Sequence, residues 1–177
     1  MGEPHVPADG NERPRLSCGQ PVPVETLDLG MREYDCPCGE SHAVVMDVHP
    51  ISRWVPEDVE SILVAAIDAD DEYGTFSTIH VMGMVLEEYP EKVTALDVSE
   101  NDSLGSVLVW MTAFDARRLH EVIVELLVEL MDHAMSHASE EDDREAFREQ
   151  LSSFDVTEFV DSYRAQRDFD GAADRPV

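Results

Sequence analysis

The chain has 177 residues, 43% of them hydrophobic, and a formal net charge of −27 from 39 acidic against 12 basic residues. That length and apolar content allow one buried core with loose ends and exclude a wholly disordered acidic chain, so the acids read as a solvated surface over an ordinary interior. Basic residues form no stripe and include a single lysine, Lys92; this argues only modestly against nucleic acid, because in molar salt a surface charge reaches about 3 Å.

The first residues, 1 to 15, carry three prolines and two glycines without periodicity and are expected to be a flexible leader. Leu16 to Gly30 reads as a short β excursion containing Cys18-Gly19, with Pro21 and Pro23 leaving Val22 and Val24 extended. Cys36-Pro37-Cys38-Gly39-Glu40-Ser41-His42 follows as a knuckle, then Ala43 to Val48 as a strand apolar enough for burial. Pro56-Glu57-Asp58 starts an amphipathic helix with Val59, Ile62, Leu63, Ala66 and Ile67 at helical spacing, ending in the acidic run Asp68 to Glu72.

A second helix is expected over Ser77 to Tyr89, with Ile79, Met82, Val85 and Leu86 inward and Pro90 beyond its end. Val93 to Val98 and Val107 to Phe114 read as an antiparallel pair joined by the turn-forming linker Ser99 to Gly105. Asp115 then caps the longest element, Ala116 to Ala138, which is apolar around most of its circumference. Glu121, Glu125, Glu129 and Asp132 form its solvated stripe, so it is expected to lie centrally on the sheet or in a dimer contact. His120 falls on another face, as a core or interface histidine. Beyond Ser139, Phe147, Leu151, Phe154, Phe159 and Tyr163 spread over one or two short helices before a frayed tail, Asp168 to Val177.

The fold class expected is therefore α+β: a small antiparallel sheet on a long central helix, with an N-terminal zinc-knuckle-like hairpin over 16–48. Residues 16–138 are expected to form a single domain, and 139–177 an acidic C-terminal extension.

Three cysteines, an odd number, suit a reducing compartment better than a disulfide scaffold. With no signal-peptide core and no apolar run of the roughly 18 residues that a membrane span needs, the expected location is the cytoplasm. The chemistry concentrates in Cys18, Cys36, Cys38 and His42, a ligand set that closes a tetrahedral structural zinc site. Cys36 and Cys38 reach one ion only if the chain turns tightly between them, which Gly39 permits through a positive φ. A redox pair is disfavoured, because a disulfide across one residue is strained. The segment resembles one knuckle of a zinc ribbon, where a Cys-Pro-x-x-Cys-Gly or similar run recurs, although Cys-Pro-Cys-Gly is shorter than usual and the opposing half has only Cys18.

A rival site lies on the long helix. Glu129, His133 and His137 recur at four-residue spacing on one ridge, which suits a metal with open positions for catalysis. Ala134 stands where a zinc protease places its water-activating Glu, and a polar edge beside the acidic stripe explains the three residues without a metal. No phosphate-binding glycine loop or nucleophile elbow is present.

Leu29-Gly30-Met31-Arg32-Glu33-Tyr34-Asp35-Cys36, Val85-Leu86-Glu87-Glu88-Tyr89-Pro90-Glu91-Lys92-Val93 and Phe114-Asp115-Ala116-Arg117-Arg118-Leu119-His120-Glu121 resemble an uncharacterised haloarchaeal family of unknown function. The likeness runs from about Pro14 to Ala138. It implies a halophilic cytoplasmic origin and carries no activity or catalytic residue. The expected role is a non-enzymatic binding or regulatory protein with one structural zinc, acting on a protein partner or as a homodimer; the alternative is a metal-dependent enzyme using the helical Glu/His/His site.

Overall fold

The computed structural model describes residues 15–23, 26–67, 74–98, 108–138 and 141–167. The expected leader before Arg15, the acidic run Asp68 to Glu72, the linker Ser99 to Gly105 and the tail Asp168 to Val177 lie outside the described residues.

Among the described residues, four antiparallel strands, β1 (Glu33–Asp35), β2 (Ser41–Met46), β3 (Val93–Asp97) and β4 (Leu108–Thr112), form one sheet in the order β1-β2-β4-β3. β4 lies between β2 and β3, with Val45 opposite Trp110 and Ala95 opposite the same tryptophan. All five of its residues are buried, because both faces of the sheet are covered. Ala43, Val45, Ala95, Leu108 and Trp110 face a helical layer, whereas Val44, Met46, Leu96, Val109 and Met111 pack on Leu16, Val22 and Cys36 of the N-terminal segment. A strand covered on both faces reads as a continuous apolar run, as β2 and β4 do.

The helical layer contains α1 (Glu57–Ala66), α2 (Thr78–Glu88), α3 (Ala116–Ala138), α4 (Glu141–Ser152) and α5 (Val156–Arg167). Asp115 caps α3 as expected, its carboxylate accepting from the Arg118 amide at 2.7 Å. Gly83 is accommodated inside α2, whose Val81, Met82 and Val85 are fully buried. Near the end of α5, Val160 and Tyr163 are buried, and the Tyr163 hydroxyl donates to the Val55 carbonyl at 3.0 Å.

Two face assignments are corrected. Ile62 of α1 is 53% exposed, and only Leu63 of that helix is fully buried. Glu121, placed by periodicity on the solvated stripe, is buried because Arg117 and Arg118 fold over it at 2.6 and 3.0 Å.

Candidate metal centre

Two hairpins of one design face each other at the edge of the N-terminal layer. In the first, the Leu16 amide donates to the Gln20 carbonyl and the Gly19 amide to the Leu16 carbonyl, both at 2.8 Å. In the second, the Cys36 amide donates to the Glu40 carbonyl at 3.1 Å and the Gly39 amide to the Cys36 carbonyl at 3.0 Å. Each loop has three residues and ends in a glycine of positive φ, 89° at Gly19 and 91° at Gly39. That is the turn-plus-bulge hairpin, whose third loop position strains any residue with a Cβ. Each turn therefore presents the cysteine just before its glycine, Cys18 in one and Cys38 in the other.

Cys36 adds a thiol from the base of the second loop, and β2 supplies the fourth group. Period two along β2 puts His42 on the same face as Val44 and Met46, toward Cys36 and the N-terminal segment. The donor atoms of Cys18, Cys36, Cys38 and His42 all lie within 4.8 Å of one another. Cys18 Sγ and Cys36 Sγ are 3.7 Å apart, and Cys38 Sγ and His42 Nε2 are 3.6 Å apart. Around a tetrahedral ion with bonds near 2.3 Å to sulfur and 2.0 Å to nitrogen, those edges measure roughly 3.8 and 3.5 Å. The cluster is thus compatible with a metal site at ligand spacing.

The imidazole is oriented for this role. His42 Nδ1–H donates to the Thr112 carbonyl on β4 at 2.8 Å, which leaves Nε2 as a lone pair pointing at the thiols. Metal-bound histidines are fixed by the same kind of outer hydrogen bond. The Glu40 amide donates to Cys38 Sγ at 3.4 Å.

Crowding divides the thiols electrostatically. Burial pushes the Cys36 thiol up to about 11, and the adjoining Cys38 and Cys18 thiols push the same way. Burial also opposes ionisation of Cys18, but hydrogen bonds from the Gln20 backbone and from Cys38 and Cys36 outweigh it and hold that thiol below its ordinary value. Without a cation, ionisation of one thiol raises the cost of ionising the next. A bound divalent ion removes that conflict and displaces the remaining protons.

The structure thus brings together all four residues expected from the sequence. The Thr112 carbonyl, 70 residues away from His42, was not foreseen, since a backbone acceptor leaves no mark in side-chain identity. The paired Cys-Gly steps at 18–19 and 38–39 were the available signal for matching turns. On α3, Glu129 and His133 are exposed and line an open groove with Glu87 and Glu88; the side chain of His137 lies outside the described residues. No helix among the described residues is long and apolar enough to cross a membrane.

Compared with known proteins, the chain is 31% identical over 107 residues to dihydrofolate reductase HdrB of Haloferax volcanii, covering 56% of this chain and 55% of that protein. The chain thus spans about half the length of this curated relative. No solved structure matches. Residues 15–167 match a family of unknown function (DUF5815), and the chain belongs to that family.

Proposed function

We propose that Cys18, Cys36, Cys38 and His42 bind one zinc ion in a closed structural site, and that the chain serves as a binding or regulatory module rather than an enzyme. The observation that carries this reading is the four-donor cluster, with edges of 3.7 and 3.6 Å and an imidazole aimed by Thr112. Three sulfurs and one nitrogen suit zinc, and four protein ligands leave no open position for substrate. The ion ties the Leu16–Gln20 turn to the β1–β2 hairpin, so binding free energy becomes folding free energy for the layer covering the second sheet face. Exposed Ser17, Pro37 and Gly39 at the two loop tips offer a rigid surface for a protein partner or a second copy, and free thiols fit a cytoplasmic setting.

A catalytic metal on Glu129, His133 and His137 draws less support, since Glu129 and His133 stand exposed on an open groove. The reductase activity of the Haloferax volcanii protein is not carried over, because the match covers only about half of each chain. Metal content by plasma mass spectrometry, on protein purified in high salt without added metal, tests the proposal. One zinc per wild-type chain and none in Cys36→Ser/Cys38→Ser is the expected result. Metal that persists in the double variant moves the site to the α3 histidines, and zinc-free wild type refutes the reading.

A further inference from the structure

The three thiols of the cluster differ in access and in reach. Cys18 and Cys38 are exposed, whereas Cys36 is buried. Cys38 Sγ already meets two polar groups, His42 Nε2 at 3.6 Å and the Glu40 amide at 3.4 Å. Cys18 Sγ lies 3.7 Å from Cys36 Sγ, at sulfur contact distance, across 18 residues of sequence. Closing that contact to a sulfur–sulfur bond near 2.0 Å asks for a displacement of less than about 2 Å. Cys18 stands at an exposed loop tip between Ser17 and Gly19, where a side chain has room to turn. The strain that disfavours a bond between Cys36 and Cys38 does not apply to a pair drawn from two separate hairpins.

The thiolate is both the metal ligand and the nucleophile, so a cluster built to hold a soft cation also suits attack on an electrophilic oxygen. An accessible thiol with a second thiol in contact is the arrangement in which oxidation stops at a disulfide that a reductant reverses. In a reducing compartment such a bond is transient, which fits a chain with an odd number of cysteines.

We propose that Cys18 and Cys36 form a reversible oxidation site for peroxide, with Cys18 as the attacked thiol and Cys36 as the resolving one. The Cys18 sulfur attacks one oxygen of hydrogen peroxide, the O–O bond breaks, and Cys18 sulfenic acid and one water result. The Cys36 sulfur then attacks the Cys18 sulfur; the disulfide forms, the S–O bond breaks, and a second water leaves. Two thiols give up two electrons and two protons, and one peroxide is reduced to two waters. The bond takes two of the four donors out of the cluster, and the remaining Cys38 and His42 do not close a tetrahedral shell. Oxidation therefore releases the ion, while a covalent link replaces it between the Leu16–Gln20 turn and the second hairpin. Release of zinc rests on the metal reading above; the disulfide does not.

The test adds a small molar excess of hydrogen peroxide to the full chain in high salt, zinc-loaded in one sample and chelator-treated in another, followed by tryptic mass spectrometry without reduction. The peptide from Leu16 to Arg32 should be joined to the peptide from Glu33 to Arg53. Fragmentation at the Cys36–Pro37 bond should assign the bridge to Cys36, and dithiothreitol should restore all three thiols. In the zinc-loaded sample a colorimetric chelator should take up one zinc for each bridge formed. Cys38→Ser should still form the bridge; if that variant folds poorly, the wild-type fragments decide the pairing. A bridge to Cys38, a bridge between two chains, or sulfinic acid without a bridge overturns the proposal, as does zinc that stays bound through oxidation. A Cys18–Cys36 bridge in a chain that never held zinc upholds the pair and counts against the metal reading alone. Zinc bound by four ligands with no bridge leaves the metal reading intact and removes the oxidation site.

Discussion

Gly39 and Gly19 hold φ angles of 91° and 89°, and a Cβ built at either meets nothing within 4 Å. The cost of a side chain there is torsional rather than steric, about 1–2 kcal/mol for a residue forced into this region. Gly39→Ala should therefore lower the urea unfolding free energy by about 1 kcal/mol, and Gly19→Ala by a similar amount; no change in either would mean that the turns relax freely. His120 gives a second expectation. Its pKa near 4 in the fold lies below the ordinary 6.5, so between those values the unfolded chain binds more protons. The stability this provides is complete above about pH 6.5 and is lost as pH falls toward 4. Between pH 7 and pH 5 wild type should lose about 2 kcal/mol more than His120→Gln, measured by urea titration of both proteins. Equal losses would show that His120 charges freely in the fold. The cysteines, His42 and Gly39 were legible as single residues because thiols are scarce and a tight turn needs positive φ. The burial of Glu121 was not, since periodicity assigns a face without showing that Arg117 and Arg118 cover it.

Among the elements, α1 shows where pattern and packing diverge. Its apolar spacing predicts a face of five residues, yet Leu63 alone is fully buried while Ile62 and Val64 are exposed. Helical periodicity marks a candidate face, but neighbouring elements decide how much of it is covered, and α1 touches the body at one edge. Leu63→Ala should cost about 2–5 kcal/mol as a buried cavity, whereas Ile62→Ala should stay within about 0.5 kcal/mol of wild type. Thermal and urea melts of the pair check this, and equal effects would mean that α1 docks through both residues. The central strands were readable from their β-rich runs. Their cover was not: Leu16 and Val22 reach β2 and β4 across intervals of sequence without periodicity. For the same reason the small cavity lined by Arg32, Arg53, His120 and Arg164 escaped sequence reading, since these residues are scattered along the chain and only folding collects them.

For the whole molecule, the sheet divides two interiors with different means of support. The helical side rests on a large apolar cluster around Trp110, Ile123 and Leu63. The other side has a smaller cluster in which Cys36 is itself a member, so a metal held by that cysteine and its three neighbours would fasten the N-terminal layer where apolar burial is thinnest. A net charge of −27 adds self-repulsion that opposes compactness until salt screens it. The most direct measurement is X-ray absorption at the zinc edge on the purified, zinc-loaded chain. Three sulfurs at about 2.3 Å and one nitrogen at about 2.0 Å are predicted. A shell of nitrogen and oxygen without sulfur would contradict the account and place the ion elsewhere.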